Sequence, residues 1–372
     1  MIKSYIWPLS NRIAHILLIV FFAVSYLLGD FDKLLRYHVA FGYAFGVVIA
    51  FRIVWAFIGP KYSKLKDFNF SLTDLMAYML SVFAKTKEYA GHNPASSFAI
   101  VGMFVVTFVM LFTGALAYGI QENHGILSFL HNSYFKDMEF FKDVHELSAN
   151  LFLALIGAHI AGALIDKYIK KSDAIDSMVH GYKTLQIQET IKTNIFQKII
   201  GFVWIIASLY ALYYLIFTQD NMFIANANQK QNYAQMHPVF FEECASCHIA
   251  YAPYLLPANA WILMMKDLEN HFGEDASIDS VANASILAFL RENSAENATH
   301  QASVKMLKSL KGKTDIIAIT KTPFWEKKHR DIDKNIWNTK EVKSKANCKA
   351  CHQEIDFGLL ENDLIAMPKI KS

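Results

Sequence analysis

The sequence predicts an all-α protein: a membrane helical bundle, made of a four-helix core plus a fifth transmembrane helix, followed by a mostly helical domain outside the membrane. Three observations predict it. Hydrophobic residues make up 53% of the 372 residues and the mean hydropathy is positive, too apolar for an ordinary soluble chain. The apolar residues gather into five stretches, each near the roughly 20 helical residues that cross a bilayer. The chain's four cysteines follow these stretches, in "CASCH" and "CKACH".

The spacing predicts spans over residues 12–29, 37–58, 97–119, 144–165 and 198–218. A cleaved signal peptide is the alternative for the first, but its apolar run ends in "SYLLGD" rather than small residues and carries a histidine, which favours retention. With the N-terminus inside, segments 1–12, 59–96 and 166–197 hold 2, 5 and 5 Lys or Arg, against 2 each in 30–36 and 120–143. Twelve against four follows the positive-inside rule. An odd number of spans then puts everything after residue 218 outside the cytoplasm. The apolar run "LTDLMAYMLSVFA", residues 72–84, is too short to span and predicts an interfacial helix. Three regions result: a transmembrane domain over 1–185, the fifth helix and linker over 186–236, and an outer domain over 237–372.

Ionisable groups inside spans are costly and tend to be functional. His15 lies near the inner start of span one and His38 near the outer start of span two. Span four carries His145 near its outer start and His159 fourteen residues further in. Fourteen residues of helix bring both onto one face, about 21 Å apart. His159 is therefore level with His15, and His145 with His38. Two opposed pairs at two depths are what two bis-histidine b haems in a helical bundle require. Arg12 and Arg52, near the inner ends of spans one and two, either snorkel to headgroups or pair with haem propionates. His92, His124, His131 and His180 fall in loops, where a solvated ring is the default.

Both cysteine pairs are Cys-x-x-Cys-His, the pattern for covalent haem c attachment. Cys244 and Cys247, then Cys348 and Cys351, would form thioethers with the haem vinyl groups, and the adjoining His248 and His352 would take the iron. Zinc binding or thiol exchange is the alternative. Two copies, each with its histidine, on the side where bacteria attach haem, favour haem c. His237, His271, His300, His329, Met264, Met265 and Met306 are open candidates for the opposite axial position.

The stretches "RIAHILL", "HVAFGYAFGVVIAFRIVWAFIGPKY", "GHNPAS" and "VHELSANLFLALIGAHIAGALI" resemble the bacterial cytochrome b561 family that includes the cytochrome b subunits of nickel-iron hydrogenases, over residues 5–185. The resemblance implies a four-helix haem core with His15, His38, His145 and His159 as ligands, exchanging electrons with quinone. The fifth span is then a tether, with packing on the core as the alternative. "ECASCHIAYAPYLLPANAWILMMKDLENHFGEDASID", "TPFWEKKHRDID" and "CKACH" resemble the diheme cytochrome c family over residues 238–368. That resemblance implies bis-histidine haems with His271 and His329 as the added ligands. His271 is paired with His248 and His329 with His352, and exchange of the two is left open. A helix over 260–272, stopped by Gly273, would carry His271.

Residues 305–349 hold 13 Lys or Arg against 5 Asp or Glu. Such an excess is by default a solvated face, and otherwise a docking face for an acidic redox protein. Nucleic acid is excluded as a partner outside the cytoplasm, and a homo-oligomer is left open. No nucleophile, acid-base pair or phosphate loop stands out, so any activity is that of a quinol:acceptor oxidoreductase. The expected protein lies in a bacterial inner membrane and passes electrons from quinol through two b haems and two c haems to a soluble periplasmic partner. Two rivals are a subunit of a larger hydrogenase or reductase, and a haem sensor.

Overall fold

A computed structural model describes residues 2–368 except 32–33, 82–88, 132–133, 136–138, 187, 219–220, 228–229, 299, 314 and 361–364. The chain divides into two compact units. One combines Met1–Ala117 with Phe140–Ala225, and the other combines Tyr118–Glu139 with Asn226–Ser372.

The first unit runs β1 (Ile2–Tyr5), α1 (Leu9–Leu28), α2 (Leu35–Ile58), α3 (Leu72–Leu80), α4 (Pro94–Gln121), α5 (Phe140–Tyr168), α6 (Ala174–His180), β2 (Tyr182–Leu185) and α7 (Ile195–Phe217). Among the described residues, α1, α2, α4, α5 and α7 are long and apolar enough to cross a membrane. Their outward faces carry side chains such as Phe108, Leu147 and Phe202, as a lipid-facing surface requires. Inside, Phe21, Phe45, Val48, Phe51, Trp55 and Phe152 are buried together.

Several polar groups in this core are paired, because an unmet hydrogen bond there is expensive. Trp55 Nε1 donates to Asn11 Oδ1 at 2.5 Å, and Asn11 Nδ2 donates to Ser63 Oγ at 2.8 Å. The fifth span is no loose tether. α7 begins with a capping box, Asn194 with Gln197, and then follows α2: Gln197 Nε2 donates to the Ile58 carbonyl at 2.8 Å, Trp204 Nε1 to that of Val47 at 2.9 Å, and Arg36 to that of Ile216 at 3.1 Å.

One departure from the sequence reading in this unit has a local cause. β1 and β2 pair antiparallel, with Ile2 opposite Leu185 and Tyr5 opposite Tyr182. Strands of four residues carry no hydropathy signal and rest on cross-strand contacts, here Tyr5 against Tyr182 at 5.1 Å. The segment expected to form an interfacial helix is helical over 72–80, capped by Ser71, and its last predicted residues, 82–84, lie outside the described residues.

In the second unit, the short helices α8 (Tyr233–Met236) and α9 (Pro238–Cys244) precede α10 (Ala258–Lys266), α11 (Ser280–Glu292), α12 (Gln301–Leu310) and α13 (Pro323–His329). Phe240, Leu256, Trp261, Ile286, Phe289 and Leu290 form its core. The helix expected over 260–272 ends earlier, at Lys266. Phe272 and Gly273 both take positive φ, closing a tight turn in which His271 and Glu274 exchange backbone hydrogen bonds of 2.9 and 3.1 Å. Two successive left-handed residues are incompatible with a right-handed helix, so His271 sits in a hairpin turn instead.

Candidate haem centres

Eight histidines meet as four pairs. His15 on α1 faces His159 on α5 with ring centroids 6.2 Å apart, and His38 on α2 faces His145 on α5 at 5.9 Å. In the second unit His248 faces His271 at 6.1 Å, and His329 faces His352 at 6.2 Å. Two iron–imidazole bonds of about 2 Å, plus roughly 1 Å from each nitrogen to its ring centre, put the rings of a bis-histidine haem about 6 Å apart. The four separations fit that spacing, and the donor set is purely imidazole. Among the described residues no cluster of three or more His, Cys, Asp or Glu is arranged to hold a bare metal ion.

The far nitrogens of several rings are already engaged. His38 Nδ1 is 2.8 Å from the Ser25 carbonyl, His145 Nδ1 2.8 Å from that of Met110, His248 Nδ1 2.7 Å from that of Ile249, and His329 Nδ1 2.8 Å from that of Trp325. A carbonyl only accepts, so Nδ1 carries the proton in each case and Nε2 keeps its lone pair for iron. Trp325 also stacks its indole on His329 at 4.2 Å. Pro323 at the start of α13 and the Thr322 side chain that caps it hold this short helix in place.

Burial favours the neutral form, the one that binds a metal, for three of the ligand rings in the second unit. It lowers His271, with His248 adding to the effect, and it lowers His329. His352 is pushed down to about 4 by burial and then by His329. Burial likewise pushes Cys244 and Cys348 up to about 11. Raised in this way, both thiols are poor nucleophiles, which disfavours the thiol-exchange alternative.

Four of the other candidate ligands are engaged elsewhere, and Met264 packs partly buried against the core. His237 caps α9, with Nδ1 accepting from the Phe240 amide at 2.9 Å and Nε2 3.1 Å from Ser285 Oγ. His300 stacks on Tyr254 at 4.1 Å, and Met265 and Met306 are core residues. Arg12 donates to the Val179 carbonyl at 2.5 Å but leaves Nε buried without a partner, and Arg52 leaves NH1 in the same condition. Both arginines therefore hold donors that an acidic group would satisfy.

The solvated default fails for His92. Its ring is packed by Trp7 at 4.9 Å and Phe68 at 4.7 Å, and its Nε2 is buried without a partner. Burial, with Arg52 next, pushes it down to about 3. A signal was present in "GHNP": Asn93 caps α4 by accepting from the Ser96 amide at 2.7 Å and Pro94 opens the helix, which anchors the preceding residue. His131 is also drawn in, with Nδ1 2.7 Å from the Ile120 carbonyl, whereas His180 is exposed.

Gly114 on α4 is a further residue overlooked in the sequence. A Cβ there would stand 2.8 Å from the His145 ring, well inside van der Waals contact. Gly114→Leu is expected to displace that ring and remove the b haem of the His38/His145 pair, with c-haem content unchanged. A haemochrome spectrum of the variant that still contains both b haems would refute this.

Residues 6–181 match the family model described as prokaryotic cytochrome b561, and residues 240–359 match that described as dihaem cytochrome c. The chain is similar to the probable Ni/Fe-hydrogenase 1 B-type cytochrome subunit of Escherichia coli (strain K12), 27% identical over 166 residues that cover 40% of this chain and 68% of that protein. It is similar also to the probable Ni/Fe-hydrogenase B-type cytochrome subunit of Cupriavidus necator, at 22% over 170 residues, 40% of this chain and 66% of that protein. Among solved structures, the diheme cytochrome c from Rhodobacter sphaeroides is 34% identical, covering 33% of this chain and 95% of that one with a TM-score of 0.30. The diheme cytochrome type c from Shewanella baltica is 30% identical, covering 35% and 91% with a TM-score of 0.29.

Proposed function

We propose that this chain, in which residues 6–181 belong to the prokaryotic cytochrome b561 family and residues 240–359 to the dihaem cytochrome c family, carries electrons from membrane quinol through two b haems and two c haems to a soluble redox protein. The observation that carries the reading is the set of four histidine pairs, two on the membrane bundle and two beside Cys-x-x-Cys-His motifs, at 5.9 to 6.2 Å. Bound haem would supply one-electron redox chemistry, and the chain supplies position and tuning. His15 with His159 and His38 with His145 would hold the b haems. His248 with His271 and His329 with His352, with Cys244, Cys247, Cys348 and Cys351, would hold the c haems.

The residues at the inner end suit the remaining tasks. Arg52 and Arg12 have free buried donors for propionates. His92 offers Nε2 in an aromatic pocket between Trp7 and Phe68, a hydrogen-bonding position for a quinol hydroxyl or quinone carbonyl. Held far below the ordinary histidine range, it orients such a ring as a neutral partner. In the outer domain Lys327, Lys328, Arg330, Lys334, Lys343 and Lys345 are exposed along the sequence that carries His329 and Cys348. An acidic redox partner would be steered there.

The charge distribution supports an inner-membrane location with the N-terminus in the cytoplasm and the c-haem domain outside. The test is anaerobic addition of a quinol analogue to the purified protein, following b and c absorbance separately. Both sets are expected to be reduced, and failure of quinol to reduce either would overturn the proposed direction. Similarity to hydrogenase B-type cytochrome subunits favours a second reading, in which electrons enter from a partner enzyme and reduce quinone. Co-purification with a metal or iron–sulfur subunit would select it.

A further inference from the structure

The segment after the first haem motif, "IAYAPY", brackets the second motif with two tyrosines. Tyr251 lies three residues beyond His248 and packs its ring against that histidine at 4.9 Å. Its hydroxyl donates to the Ala346 carbonyl at 2.5 Å. The same carbonyl accepts from the Cys348 amide at 2.9 Å. One uninterrupted set of contacts therefore runs from the axial histidine of the first centre to the first thioether cysteine of the second. On the other side of the second motif, Tyr254 donates to the Gly358 carbonyl at 2.8 Å. The two bonds differ in kind: Tyr254 is a core residue and its ring stacks on His300, whereas Tyr251 touches an axial ligand directly.

We propose that Tyr251 is the positioning residue that holds the two c-haem segments at a fixed separation, and so sets the electronic coupling between the His248/His271 and His329/His352 centres. The proposal rests on the c-haem reading. Groups next to a metal's ligands orient those ligands and tune the metal, and a residue that borders ligands of two centres at once tunes their relation. Phenylalanine keeps the ring on His248 and removes only the bond to Ala346, so Tyr251→Phe separates spacing from packing.

The experiment compares full-length wild type, Y251F and Y254F, each first assayed for c-haem content. The readouts are the exciton-split circular dichroism of the Soret band and the exchange rate between the two c haems. Y251F is expected to keep both c haems, to lose most of the exciton signal and to exchange electrons about tenfold more slowly, the low end of what losing an outer contact costs a metal centre. Y254F is expected to keep the wild-type signal. An unchanged signal in Y251F would overturn the proposal. So would an equal loss in Y254F, which would make the effect one of general rigidity, or loss of haem from Y251F, which would make Tyr251 an assembly contact. Absence of c haem from the wild-type protein would instead remove the reading beneath it.

Discussion

His159→Leu is expected to remove one b haem, leave both c haems attached, and slow quinol-driven reduction of the c haems by at least about 100-fold, because even losses outside the ligand shell cost metal sites 10- to 100-fold. The damage stays local for a geometric reason. His145, on the same helix, is about 21 Å away along the axis and is held by Met110 on α4. Leucine suits a helix that already exposes Leu147, Leu151, Ile160 and Leu164 on its outer face, so the bundle is expected to assemble. The c haems depend on thioethers in the other unit and act as the internal standard. The check is the ratio of b to c haem, followed by stopped-flow reduction with the quinol analogue. Retention of two b haems would refute the pairing of His15 with His159.

His329→Ala should convert a six-coordinate, low-spin c haem into a five-coordinate one that binds carbon monoxide and has a raised potential, since a strong axial donor is lost. The wild-type protein should not respond to carbon monoxide, because all four histidine pairs stand at a spacing that fills both axial positions. The variant opens a space bordered by Trp325 and Trp337, whose rings lie 4.2 and 6.2 Å from that of His329. Optical spectra with and without carbon monoxide decide the matter. A wild-type protein that binds the gas would favour the sensor reading over the electron carrier.

Much of the architecture was legible because lipid imposes a simple rule. A span must be apolar, helical and about 20 residues long, so five helices could be read from hydropathy and the depth of each histidine followed from helical rise. Contacts between distant residues have no such rule. Nothing in the local sequence announces that α7 lies on α2 through Gln197 and Trp204. Nor does it announce that Gly114 is needed because His145 comes within 2.8 Å of where its Cβ would be. A loop histidine such as His92 is ordinarily solvated, and only packing by Trp7 and Phe68 decides otherwise. Gly273 is a familiar stop signal and predicts a helix that ends at His271. The stop comes earlier because Asp267 already leaves the helical region, at φ −132° and ψ 55°.

The main-chain carbonyls behind His38, His145, His248 and His329 bear on speed as well as on structure. An electron hop is slow when the surroundings must rearrange with each change of charge on the iron. A ring tethered at its far nitrogen to helix or turn backbone has little freedom to swing as that charge changes. With haem bound as proposed, low reorganisation energy would be built into the ligands of three of the four centres, the His38/His145, His248/His271 and His329/His352 pairs, which could pass an electron on without first waiting for the scaffold to relax.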